Sequence, residues 1–227
     1  MKTHSLLIRE IAATPTGRLI RIADLLSRRP APGEYCLAFA PAAVQILPQS
    51  LFFYAVDEED ILLCGKIPSD WQPGTAINIQ GPFGRGFQSV LTGMKIALYA
   101  TDVALQDRLH PLIQHALKRG AEVVWINDEK TEELPAQVEI LSSSDLVDAV
   151  NWANSCAIAA SMQSLIHIGE IFRRHSEIKQ KVEVMLDTPL VCGSTARCGA
   201  CAVETIKGWR LACSDGPVFK LEEISGG

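Results

Sequence analysis

Val191-Cys192-Gly193-Ser194-Thr195-Ala196-Arg197-Cys198-Gly199-Ala200-Cys201, followed by Cys213-Ser214-Asp215-Gly216-Pro217-Val218-Phe219, holds four of the chain's seven cysteines. They fall within 22 residues, spaced C-x5-C-x2-C-x11-C. Four thiolates in one short, loop-rich segment suit a metal centre. The spacing is one residue longer in its first gap than the plant-type C-x4-C-x2-C…C pattern that ligates a [2Fe–2S] cluster. Gly193 and Gly199, with the small Ser194, Ala196 and Ala200, let such a loop wrap closely around a cluster and turn its N–H groups toward sulfur. The same residues leave open a structural zinc site or plain core cysteines. Zinc sites usually pair two C-x2-C units, and here only Cys198 and Cys201 form one. The extra residue makes the reach of Cys192 the point to check.

Working outward, the bulk of the chain is an ordinary globular sequence. Its 227 residues are 48% hydrophobic and 21% charged, enough for two modest domains. No apolar run approaches the roughly 18 residues of a membrane span. The N-terminus, Met1 to Glu10, has no long apolar region of the signal-peptide kind. A net charge of −5 without a basic block argues against nucleic acid. An odd, clustered set of cysteines points to a metal site in a reducing compartment, so the expected location is the cytoplasm.

Residues 1–92 read as short strands separated by turn signals: 5–11, 17–22, 34–39, 51–56, 61–64 and 76–80. That rhythm predicts an antiparallel β-barrel or sandwich. Asp57 to Asp60 reads as a solvated hairpin turn, and Gly81 to Phe87 as a loop by composition. From residue 93 to 185 strands (95–100, 122–126, 138–141, 156–160, 182–185) alternate with helices (105–119, 144–153, 161–174), which predicts a parallel sheet with crossover helices. Gly120 stands where a helix C-cap is expected, and Ser143 or Ser144 where an N-cap is. His110 and His115 are five apart, not a helical metal pair, and read as surface helix residues. Residues 186–227 form the small cysteine-loop domain. The expected whole is a multi-domain α+β chain of barrel, α/β domain and [2Fe–2S] domain.

In that order of domains the chain resembles the electron-transfer subunit of the two-subunit (class 1B) dihydroorotate dehydrogenases, within the ferredoxin-reductase superfamily. The resemblance spans nearly the whole chain. It is carried by Pro32-Gly33-Glu34-Tyr35, by Gly81-Pro82-Phe83-Gly84-Arg85-Gly86-Phe87, and most specifically by the cysteine segment. It implies a [2Fe–2S] cluster on Cys192, Cys198, Cys201 and Cys213, FAD on the barrel, and a catalytic flavoprotein partner that takes part in pyrimidine biosynthesis. The family's Arg-Pro-x-Ser strand is matched by Leu47-Pro48-Gln49-Ser50, and its later glycine turn by Cys64-Gly65-Lys66-Ile67-Pro68-Ser69. FAD contacts then fall on Pro48, Ser50, Gly65 and Lys66, but Leu47 replaces the arginine that would pair with the pyrophosphate. The turn after the first α/β strand, Thr101 to Asp107, has no glycine and carries Asp102 and Asp107. It argues against a nicotinamide nucleotide. The family's Cys-Gly-Pro turn is also missing, and Cys156 reads as a core cysteine.

Three functional readings follow. The first is an electron-transfer subunit relaying electrons between its cluster and a partner flavoprotein. The second is a complete NAD(P)H:FAD/[2Fe–2S] reductase subunit. The third is a structural or regulatory subunit whose cluster is a folding staple.

Overall fold

A computed structural model of the chain describes residues 3–41, 47–128 and 134–224. The outer ends of the expected domains, residues 1 and 227, lie outside the described residues. Seven antiparallel strands make the N-terminal sheet: β1 (Thr3–Leu7), β2 (Glu10–Thr14), β3 (Gly17–Ala23), β4 (Tyr35–Phe39), β5 (Gln49–Asp57), β6 (Asp60–Gly65) and β7 (Ala76–Phe83), in the order β1-β7-β4-β5-β6-β3-β2. The edge strands β1 and β2 do not pair with each other. The antiparallel ladders give them the same direction, so they are two halves of one segment kinked at Ile8-Arg9. The first half pairs with β7 and the second with β3. The expected barrel is thus completed through the chain and not by a closing ladder.

The period of two assigns each strand two different jobs. Ile20, Ile22, Cys36, Ala38, Leu51, Ile61, Leu63, Ile77 and Ile79 fill the barrel interior around Trp71. Their neighbours Leu19, Tyr35, Leu37, Phe52 and Cys64 point outward and join the core of the second domain. The Asp57–Asp60 hairpin is not wholly solvated: Asp60 is buried and accepts from Arg9 Nη1 at 2.5 Å. β7 also runs on to Phe83, through the start of the stretch that composition reads as loop.

The second sheet contains β8 (Lys95–Ala100), β9 (Glu122–Ile126), β10 (Val138–Leu141), β11 (Ser155–Ser161) and β12 (Val182–Asp187), all parallel, in the order β10-β9-β8-β11-β12. Helices α1 (His110–Lys118), α2 (Leu146–Trp152) and α3 (Ser164–Arg173) connect them. Both faces are covered, which is why β8, β11 and β12 are apolar almost throughout. The chain winds outward from β8 through β9 to β10, then returns to build β11 and β12 on the other side. The crevice at this switch point opens at the carboxyl ends of the strands.

The helix expected over 105–119 is divided. A 3₁₀ turn spans Val103–Arg108, and α1 begins only at His110. Pro111, in its first turn, has no N–H to continue an earlier helix. Gly120 closes α1 with φ +72° and an N–H to the Leu117 carbonyl. The N-terminal cap of the next helical segment is Ser142, whose Oγ accepts from Ser144 N.

The C-terminal segment adds the hairpin β13 (Ala202–Thr205) and β14 (Gly208–Leu211), the short α4 (Ala212–Asp215) and β15 (Val218–Lys220). β15 is a strand the sequence pattern does not announce. It pairs antiparallel with β12, Met185 against Val218 and Val184 against Phe219, as the sixth strand of the parallel sheet.

The three motif stretches meet at one junction beside this strand. Arg85 N donates to the Gly216 carbonyl, Phe87 N to Pro32 O at 3.0 Å, and Leu186 N to Pro217 O at 3.0 Å. Gly84 is required here, since a Cβ would come within 2.5 Å of the Gly216 carbonyl oxygen. Glu34 accepts from both terminal nitrogens of Arg28 and from Ala31 N, fixing the Pro32–Tyr35 turn.

Candidate metal centre and adjoining cleft

Residues Val191 to Cys201 have no regular structure. Gly193, Ser194, Ala196 and Gly199 all have φ between +56° and +70°. Ser194 and Ala196 are held there against the usual steric cost of about 1 kcal/mol or more each. Such left-handed residues turn successive N–H groups toward one side, the geometry that receives negatively charged groups. Thr195 binds back to the Cys192 carbonyl through both its N–H and its hydroxyl. The β13–β14 hairpin returns the chain, Ala212 N donates to Cys201 O, and α4 sets Cys213 beside the loop.

The structure brings Cys192 Sγ within 3.8 Å of Cys213 Sγ, and Cys213 N donates to Cys201 Sγ at 3.4 Å. Cys201 and Cys213 are buried, Cys192 is half-buried, and Cys198 faces solvent. Among the described residues no group of three or more His, Cys, Asp or Glu side chains is drawn together as a metal site. Cys192 and Cys213 lie side by side and Cys201 Sγ accepts an N–H, the donor chemistry that a thiolate-ligated centre uses.

The electrostatics differ from cysteine to cysteine. Burial raises the Cys192 thiol, but hydrogen bonds from Thr195, Ala196 N and the neighbouring cysteines outweigh it and hold it at about 7. Burial, together with its cysteine neighbours, pushes Cys213 up to about 12. Cys36 and Cys64 are raised to about 12 and Cys156 further, in each case chiefly by burial. These last three are core thiols, as the sequence expects of Cys156.

One buried side chain ties the loop to the body. Tyr35 OH reaches the Cys213 carbonyl at 3.3 Å and Ser194 Oγ at 3.5 Å, and Ser194 Oγ donates to the same carbonyl. The Tyr35 ring packs against Phe83 and Phe52, with centroids at 5.5 and 6.1 Å. On Phe52 in turn lies the Arg108 guanidinium, 4.3 Å from the ring centroid.

Three adjoining cavities form a cleft along the barrel–α/β boundary. The first, 380 Å³, is lined by Arg18, Gly65, Lys66, Asp102, Asp107, Arg108 and Asp187 among others. The second, 410 Å³, shares Lys66, Arg108 and Asp187 with it and adds Leu47, Pro48, Gln49, Ser50 and Leu190. The third, 320 Å³, shares Pro48 and Val191 with the second and reaches Cys192 and Gly193. Pro48, Ser50 and Lys66 therefore line one space, with Gly65 beside them in the first cavity.

Arg108 escapes a reading of the sequence. It lies in the 3₁₀ turn after β8, its side chain is only 7% exposed, and its Nη2 bonds Asp187 Oδ1 at 2.6 Å. The available signal was an arginine in the turn just before α1. Its burial depends on Phe52, some 56 positions earlier in the chain. His110 is likewise not a surface residue: it stacks on Tyr54 at 4.5 Å, and burial lowers its pKa.

Comparison with known proteins bears on the same two regions. Residues 189–225 match a family model described as the iron-sulfur cluster binding domain of dihydroorotate dehydrogenase B. The whole chain is similar in structure to an NADH-dependent reduced ferredoxin-NADP oxidoreductase studied for flavin-based electron bifurcation: 16% identity, TM-score 0.73, covering 97% of this chain and 89% of that one. It is similar to the ferredoxin-NADP+ reductase of Plasmodium falciparum at 10% identity and TM-score 0.60, over 82% and 97% of the two chains. A ferredoxin reductase of carbazole 1,9a-dioxygenase aligns with TM-score 0.61 and 9% identity, over 82% and 69%. The fold is that of ferredoxin reductases, and its C-terminal segment is similar to the iron–sulfur domain of dihydroorotate dehydrogenase B. Among the described residues no helix is long and apolar enough to cross a membrane.

Proposed function

We propose that this ferredoxin-reductase-like chain is an electron-transfer subunit, working with a dihydroorotate dehydrogenase-like flavoprotein in the cytoplasm. In this reading residues 1–92 are the flavin-side barrel, 93–185 the α/β domain and 186–227 the cluster domain. Cys192, Cys198, Cys201 and Cys213 hold one [2Fe–2S] cluster, and Pro48, Ser50, Gly65 and Lys66 contact FAD. The observation that carries the reading is the cleft that ends against Cys192. A flavin held in this cleft by Pro48, Ser50, Gly65 and Lys66 would adjoin the cluster loop and would supply electrons to it.

The chain's own residues perform three tasks. Ser194, Ala196 and Gly199 hold the loop in the conformation that presents N–H groups, and Cys213 N already donates to a ligand sulfur. Cys201 and Cys213 exclude water from the inner side, while exposed Cys198 marks the face where electrons leave or enter. Tyr35 and Ser194 lock Cys213 to the barrel, fixing the distance between cleft and loop. The cluster, when bound, supplies one-electron chemistry between two-electron flavins. The carboxylates Asp102 and Asp107 at the turn after β8 oppose a nicotinamide pyrophosphate, so the partner protein exchanges the electrons.

Anaerobic reconstitution tests this. The expected result is about two irons and two sulfides per chain, with a [2Fe–2S] EPR signal on reduction. Stoichiometric zinc with no signal refutes it. A staple reading requires that iron removal unfold residues 186–227 while leaving partner turnover intact; the pairing of β15 with β12 in the main sheet opposes it, since that ladder holds the segment without a metal.

A further inference from the structure

Position 47 lacks the arginine that would meet a flavin pyrophosphate from the barrel side, and Leu47 there is exposed. The same cavity nevertheless contains a guanidinium, delivered from the other domain. Arg108 lines it together with Pro48, Ser50 and Lys66. Its side chain is only 7% exposed, and its five N–H donors take acceptors from the protein or from whatever fills the cavity. One nitrogen serves Asp187, and among the described residues the others make no hydrogen bond. The Phe52 face beneath holds the plane of the group in place. Lys66, which lines the same cavity, makes no ion pair among the described residues.

The charges select which part of the cleft suits an anion. In the first cavity Arg18, Lys66 and Arg108 face Asp102, Asp107 and Asp187, and the signs balance. Arg18 is also engaged, donating to the Pro68 and Trp71 carbonyls. In the second cavity Lys66 and Arg108 face Asp187 alone, leaving a net positive charge beside Ser50. A group with several acceptor oxygens and negative charge fits there, and phosphoryl oxygens match a guanidinium's fork.

We propose that Arg108 replaces the missing barrel arginine and, with Lys66, binds the phosphate-bearing part of a flavin nucleotide from the α/β side of the cleft. The inference rests on the flavin reading given above and deepens it. It moves the anion-binding cation across the domain boundary, so phosphate binding clamps the turn after β8 onto the barrel.

Flavin titration of the reconstituted full-length chain, followed by fluorescence quenching, tests it. Wild type is expected to bind FAD more tightly than riboflavin, with inorganic pyrophosphate competing weakly for FAD alone. R108Q should weaken FAD by about tenfold or more, the range of one charge-assisted pair, and leave riboflavin unchanged. R108K, which keeps the charge and loses the fork, should fall between. L47R in the R108Q background should recover FAD affinity. If wild type binds no flavin, the flavin reading fails and takes this inference with it. If wild type binds FAD and R108Q and R108K bind it equally well, or if both lose riboflavin in the same proportion, Arg108 is not the phosphate ligand and the flavin reading stands. Inorganic pyrophosphate that binds as tightly as FAD would identify a free-anion site and overturn the assignment to a nucleotide.

Discussion

The Cys213 carbonyl offers a thermodynamic cycle whose outcome follows from who can donate to it. Four residues onward, just past the end of α4, where a continued helix would supply an N–H, stands Pro217, which has none. Tyr35 OH and Ser194 Oγ both serve this carbonyl. Replacing Tyr35 by Phe removes one donor and leaves the other, at a cost of about 0.5–1 kcal/mol. Ser194→Ala costs about the same and keeps a non-glycine residue at φ +59°, so backbone strain is constant. The double variant leaves a buried carbonyl with no donor, and that orphaning adds roughly 1–3 kcal/mol beyond the sum. In a chain of this size, 1 kcal/mol corresponds to about 2–4 °C in Tm. Each single variant should melt about 1–4 °C low, and the double variant about 2–12 °C lower than the two single losses combined, measured on iron-free and reconstituted chain alike. A double variant whose loss equals the sum of the two singles within about 0.5 kcal/mol would refute the shared-acceptor argument.

Other outcomes follow from the same geometry. Serine in place of Cys192, Cys198, Cys201 or Cys213 should cut bound iron and sulfide sharply in colorimetric assay, whereas serine at Cys36, Cys64 or Cys156 should leave both at wild-type levels. Glu183, buried on β12, accepts from Gln88 N and Val90 N, so Glu183→Ala orphans two linker N–H groups. It should cost about 2–5 kcal/mol in urea denaturation and expose those amides to hydrogen exchange. His110 is held below its ordinary pKa by burial, with Asp107 opposing. Its contribution to stability is therefore full above the ordinary histidine pKa, about 6.5, and is lost as pH falls through the lower folded value. Denaturation between pH 7.5 and 5 should show a steeper acid loss for wild type than for His110→Phe.

Much of the architecture was legible because it is local. Alternating apolar residues such as Ile20/Ile22 and Ile77/Ile79 repeat at the period of a half-buried strand. The α/β rhythm from Lys95 onward comes from short apolar runs joined by helices. Two local readings failed for local reasons that act at a distance. The 105–119 helix is divided at Leu109, ahead of Pro111 in the first turn of α1, and the Gly81–Phe87 stretch begins as strand because β4 pairs with it up to Phe83. β15 was not legible, since three residues become a strand only when β12 supplies an edge.

The sequence by itself determined the grouping of four cysteines, because ligand spacing is a property of the chain. It also determined the succession of antiparallel and parallel sheets, because each follows from a periodicity that water and burial impose on neighbouring residues. Only the tertiary structure decided that Pro32–Tyr35, Gly81–Phe87 and Cys213–Phe219 are one junction, that a cleft ends at Cys192, and that Arg108 lies where Leu47 leaves no charge. Those contacts join residues 50 to 180 positions apart, and their free energy exists only after both sheets have formed.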